Sequence, residues 1–309
     1  MLQNNNHRRV LNYGLLLLAI LIQSCAVNLP AVRDFSKTTI AATDTFDNIS
    51  DDLPKSCVRR VELTYEGQKI VTNGETVEYS DKYKRALADC NDLKINLIGI
   101  VEANDVLQAY AEALGKLASD DVVTFTTELE ALRSNLGQIN IRGSNPFTGA
   151  RADAVFDLAG FLLNAAANGY RQKELIETIQ IGQKHIGPLI EGLSAIADDY
   201  RLRILELEKD KIRRYQVELL DARDEANDES IIKVFDEKLF VTQNMIQAIN
   251  EKDKAAADYQ EILNKILATH TSLSKSTSEL NSALLLALIQ DYAKQLKPLI
   301  INIREAYSN

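Results

Sequence analysis

The sequence contains no tryptophan, and only 5 prolines, 3 histidines and 3 cysteines among 309 residues. Each scarcity removes a class of chemistry. Beyond His7, only His185 and His270 remain, and no HExxH helix can be written around either. Three cysteines separated by long intervals do not form the paired clusters of a structural zinc site. Glycines 182, 187 and 192 lie within a helical stretch and lack the GxGxxG or Walker spacing of a phosphate cradle. No GxSxG accompanies a histidine, so a serine hydrolase has no signature here. Asp51-Asp52 and Asp198-Asp199 are adjacent, and neighbours on a helix point about 100° apart, which makes them poor acid–base pairs. The residues therefore predict no catalytic centre and no cofactor.

What remains abundant is Ala, Leu, Ile, Glu, Asp and Lys, the composition of long helices. The formal net charge is −9. An acidic body repels nucleic acid, which excludes a polyphosphate partner. The expected fold class is all-α.

The N-terminus carries a separate signal. The basic HRR (His7, Arg8, Arg9) precedes YGLLLLAILI (Tyr13 to Ile22), about half the length of a membrane-spanning helix. A basic segment, a short apolar run and a small-residue exit form the pattern of an export signal. Here the run ends in Ile22, Gln23, Ser24 and Cys25, which resembles the lipobox of bacterial lipoproteins, with Ile22 in place of the usual leucine and the bulkier Gln23 in place of the typical alanine or serine. The resemblance covers only these first 25 residues. It implies that residues 1–24 are removed and that Cys25 carries a diacylglycerol and a further acyl chain such as palmitate. Residues 25–31 would form a tether. An uncleaved anchor, or an ordinary signal with an incidental cysteine, is the alternative. Two or three buried chains hold a soluble body on a bilayer stably. Ala26 follows Cys25 and no acid occurs before Asp34, which resembles cargo of the bacterial outer membrane facing the periplasm. Removal of Arg8 and Arg9 takes the charge from −9 to −11. Given a lipidated Cys25 and an oxidising compartment, Cys57 and Cys90 are the one possible intramolecular disulfide pair. Two buried free thiols are the alternative.

The body, residues 32–309, reads as a single elongated helical domain. A helix from Val32 to Ser50 is expected to stop at Pro54. IVTNGETVEY places Asn73-Gly74 between β-prone runs and predicts a small β-hairpin at about 69–79, with a plain exposed loop as the alternative. A long helix follows from Ser80 to Leu117, and Ser119-Asp120-Asp121 is expected to cap another through Leu136. The apolar segment 152–169 is expected to be the central packed helix. A competing reading makes it a concealed membrane-inserting segment, as in α-helical pore formers. Gly187-Pro188 predicts a kink. Apolar stripes along 189–225 and 229–275, joined by a polar turn, predict a long antiparallel coiled-coil-like hairpin. The C-terminal apolar stretch folds back onto it.

Two constellations remain as candidates. If the hairpin turns near residue 226, position 185 faces about 267. His185 and His270 would then approach, with Glu174, Glu191 or Glu261 as further metal ligands. At the distal tip, Arg213, Arg214 and Tyr215 interrupt an acidic background and form a candidate partner contact. The sequence therefore predicts a membrane-anchored envelope lipoprotein acting by protein–protein contact as scaffold, adaptor or inhibitor, and not an enzyme.

Overall fold

The computed structural model describes residues 29–65, 70–72, 76–78, 81–124, 132–139 and 145–308. The lipobox with Cys25 and the Asn73-Gly74 turn lie outside them. The fold is an all-α helical bundle, as the composition predicts. Its centre is α4 (Ile98–Ala118), which buries Ile100, Val106, Leu107, Tyr110, Leu114 and Leu117 on more than one side. Small residues let neighbours come close: Gly115 abuts Ser36 of α1 (Pro30–Thr43), and Gly99 abuts the backbone of α5 (Leu132–Gln138) at Asn135.

Polar contacts fix how the long helices run. α7 (Leu175–Asp199) continues through a π-helical turn (Tyr200–Leu205) into α8 (Glu206–Glu225). This composite lies antiparallel to α9 (Glu229–Lys275). Gln180 donates to the Ser274 carbonyl at 3.1 Å, Gln260 to the Ser194 carbonyl at 3.0 Å, and Gln216 to Thr242 Oγ1 at 3.0 Å. The 47 residues of α9 span about 70 Å at 1.5 Å per residue. Asp228 caps its start by accepting from the Ser230 N–H at 2.8 Å. α10 (Ala283–Ala306) folds back along α9, where Lys265 donates to Gln295 and Asn302 to Asp258. α1 runs alongside α10, held by a 2.9 Å hydrogen bond between Thr39 and Tyr292. The starts of α1, α7 and α10 and the ends of α4 and α9 share one end of the bundle, the base. α10 stops beside Lys252, so the distal parts of α8 and α9 project past it as a two-helix arm.

Near the root of the arm, α2 (Phe46–Tyr65) pairs with α3 (Asp81–Asn96). Cys57 and Cys90 form a disulfide between them, with an S–S distance of 2.04 Å. The bridge anchors a small apolar cluster with Val61, Tyr65, Tyr83 and Leu87 that is separate from the main core. Beyond α2, β1 (Ile70–Thr72) pairs antiparallel with β2 (Thr76–Glu78), Val71 opposite Val77.

Several local expectations are corrected. The break between α1 and α2 falls at Asp44-Thr45, where Thr45 Oγ1 donates to the Ala42 carbonyl, and α2 continues through Pro54. Pro54 and Ser50, whose carbonyl loses its helical donor to the proline ring, both line an open groove where water can serve that oxygen. α7 also runs through Pro188 as one helix, an outcome that a bend at Gly187-Pro188 would leave unchanged. Asp120 does not start a helix. It takes a left-handed backbone (φ 57°), and the Asp121 N–H reaches back to the Lys116 carbonyl at 2.9 Å. This closes α4 in the manner usually supplied by glycine. Finally, α6 (Ala150–Ala167) is peripheral, burying Val155, Leu158 and Leu162 on one face and exposing Gly160, Leu163 and Asn164 on the other. Among the described residues no helix is long and apolar enough to cross a membrane.

Candidate functional site

The two histidines do not share a site. His270 is fully buried, its Nε2 2.7 Å from the Tyr110 hydroxyl and its Nδ1 3.2 Å from Gln183 Oε1. The amide oxygen can only accept, so Nδ1 carries the proton and Nε2 accepts from tyrosine. Burial lowers the imidazole pKa from 6.5 to about 4, and the ring is neutral. His185 lies on the other side of α7, facing α6, with Nδ1 3.9 Å from Asp157 Oδ2. The seam register brings 185 and 270 to similar heights, but the helix phase turns one inward and the other outward. Glu174 turns back to accept from the Arg171 N–H, and Glu191 pairs with Arg151. Among the described residues no group of three potential metal ligands forms.

Among the described residues, an extended polar cluster lies at the root of the arm, and the sequence does not announce it. Asp52, one step from exposed Asp51, is buried and accepts from both terminal guanidinium nitrogens of Arg59 at 3.0 Å, from Tyr200 Oη at 2.7 Å and from Lys252 Nζ at 2.8 Å. Arg59 also donates Nε to Glu208 at 2.6 Å, and Ser56 donates to the same carboxylate. Tyr307 donates to the Tyr200 hydroxyl at 3.3 Å. Burial opposes the charge on Asp52, yet the hydrogen bonds and charges of Arg59 and Lys252 outweigh it and hold the pKa below the ordinary value. Burial likewise opposes the Arg59 charge, and Glu208 and Asp52 override it to raise that pKa. Two acids meet two bases, and their polar atoms are occupied by one another. Such a cluster ties α2, α8, α9 and the chain end together; it presents no free acid, base or nucleophile. Asp52, Ser56 and Arg59 recur at helical spacing on the inner face of α2, which is the one trace of it in the sequence.

On the arm, Arg213 is held by Glu206 and Asp210 at 3.4 and 3.3 Å. Arg214 is exposed beside a hollow shared with Arg60 and Tyr65, and Tyr215 is half-buried, accepting from Lys238. The three therefore fan out over different sides of α8. Around them the arm exposes apolar groups: Val217 56%, Val241 55% and Phe240 64%.

Two further open grooves lie among the described residues. One, of about 820 Å³, lies between α2 and the α3–α4 junction, floored by Pro54, Val58, Leu97 and Val101. Glu102 Oε2 is buried there without a hydrogen-bond partner, while Oε1 accepts from Asn135 at 2.7 Å. The other, of about 600 Å³, separates α1 from α10 and carries Lys37, Lys294, Lys297 and Arg304. The chain matches no known protein family, no curated protein and no solved structure.

Proposed function

We propose that this protein is a lipid-anchored lipoprotein of the bacterial envelope that works through its arm rather than through a reaction centre. It acts by protein–protein contact, as a scaffold, adaptor or inhibitor, and does no chemistry. The observation that carries this reading is the arm itself. α8 and α9 extend past the end of α10, expose Val217, Phe240 and Val241, and are fastened at their root by the Asp52–Arg59–Glu208 cluster. A rigid, partly apolar projection on a fixed base is suited to presenting a contact face to a partner. In this reading the paired arms pack as a coiled-coil-like hairpin, the β1–β2 ribbon is an accessory hairpin, and Cys25 carries the anchor on the outer membrane.

The test is made in cells that export the protein. Labelled palmitate is incorporated by the native chain and not by Cys25→Ser, which leaves the membrane fraction. A version with residues 214–240 replaced by a short turn stays acylated but loses its cross-linked envelope partners. An unlabelled native chain, or a partner set that survives the deletion, contradicts the proposal.

A further inference from the structure

The base of the bundle, opposite the arm, exposes large apolar side chains. Leu284, in the first turn of α10, is 81% exposed; Leu288, one turn on, is 39% exposed, and Ile176 at the start of α7 is 49% exposed. Contacts between helix ends place these residues at one end. The Val123 N–H donates to the Tyr170 carbonyl at 3.2 Å, Arg171 to the Asp120 carbonyl at 3.1 Å, and Gln180 to the Ser274 carbonyl at 3.1 Å. The N-terminal chain enters here too. Asn104 bonds the Thr43 carbonyl and Gly115 abuts Ser36, so α1 runs antiparallel to α4 and its first residue, Pro30, stands beside the end of α4.

We propose that the base is a membrane seat, in which Leu284, Leu288 and Ile176 enter the interfacial layer of a phospholipid bilayer. The inference rests on the reading of Cys25 as the acylated residue. Leu29 is already packed into the core, so four peptide steps separate the anchor from the body. They reach at most ~14 Å, comparable with the depth at which amphipathic surfaces settle among headgroups. A tether this short forces one end of the bundle against the lipid, and that end carries the leucines. Its charges are mixed, Lys173 and Lys275 against Asp121 and Glu177, so adhesion is apolar and a zwitterionic surface suffices. Seated in this way, the bundle stands upright and carries the arm away from the membrane.

The absence of tryptophan makes single-emitter variants simple to read. Leu284→Trp, Ile176→Trp and, on the arm, Phe240→Trp are prepared as acylated full chains in phosphatidylcholine vesicles brominated high in the acyl chains. The probes at 284 and 176 are expected to shift to the blue and lose more than half their emission, and the probe at 240 to be unaffected. Vesicle-bound, acylated protein whose probes at 284 and 176 are both unquenched overturns the seat and leaves the anchor standing. A chain with no acyl groups on Cys25 by mass spectrometry, which fails to float with vesicles, removes the anchor and the seat together. Shielding of position 284 in Cys25→Ser protein without vesicles assigns the face to a second copy of the chain and also overturns the proposal.

Discussion

Arg59 and Glu208, 149 positions apart in the chain, meet with Nε 2.6 Å from Oε1 where α2 passes the start of α8. Glu208 is 1% exposed, and its carboxylate finds its hydrogen bonds in this partner and in Ser56. A buried ion pair adds little over a well-packed apolar pair, but breaking one side leaves a charge stranded. Arg59→Met alone is expected to cost about 3 kcal/mol, and the double change Arg59→Met with Glu208→Met to recover much of that loss. Urea unfolding of the single and double variants measures the coupling. Additive losses would show that the pair does not hold the arm root.

The disulfide stands in a small apolar cluster outside the main core. Cys57 and Cys90 close a separation of 33 residues there. On the chain-entropy model, replacing both by serine costs about 3–4 kcal/mol. Hydrogen exchange is expected to rise in α3 and the neighbouring part of α2, while α4, α9 and α10 keep their protection. Uniform loosening of all helices would assign the bridge a global role instead.

Burial lowers the pKa of His270 from 6.5 to about 4. Between those values the unfolded chain binds a proton that the native chain refuses, so stability falls as pH drops from about 6.5 to about 4. The full effect approaches 3 kcal/mol. His270→Gln removes the titration: its deficit at pH 7 should narrow by a comparable amount at pH 4. A deficit independent of pH, measured by denaturant titration at both values, would place the histidine's ionisation elsewhere.

Asp105 behaves oppositely. Burial, and then the nearby charges of Asp47 and Glu102, raise its pKa from 3.8 to about 6. The native chain holds this proton more tightly than the unfolded one, so its contribution worsens as pH rises from about 4 to about 6. The carboxyl is partly solvated, which leaves a penalty of ~1 kcal/mol at neutral pH once screening is counted. Asp105→Asn should therefore stabilise the protein at pH 7 and have little effect at pH 4. Destabilisation at pH 7 would mean that the carboxylate has a favourable partner.

The helical class is legible because apolar residues recur with a helical period along nearly the whole body. Position 185 is expected opposite about 267, whereas a Cβ at Gly187, two residues along, would lie 4.0 Å from Leu267. Facing direction was not legible to that accuracy, and two residues of helical phase separate a buried His270 from a His185 turned toward Asp157. The role of α6 is hard to read from composition because its outer face mixes Asp153 and Asp157 with Gly160, Leu163 and Ala167, so the high apolar content of the segment suggests a central helix. Asp52 was invisible for another reason: its partners Tyr200 and Lys252 lie 148 and 200 positions away, and nothing local distinguishes it from exposed Asp51.

The wide turn at Tyr200–Leu205 has a mechanical consequence. Buried Tyr200, Ile204, Glu208 and Ile212 follow one another at intervals of four, a spacing that would wander by about 40° per step on an ordinary α-helix. The surplus width of the π turn takes up part of that drift, like a vernier between two gear trains. Excising one residue there would swing everything distal through roughly 100°, so the compass bearing of the arm is written in a single amino acid.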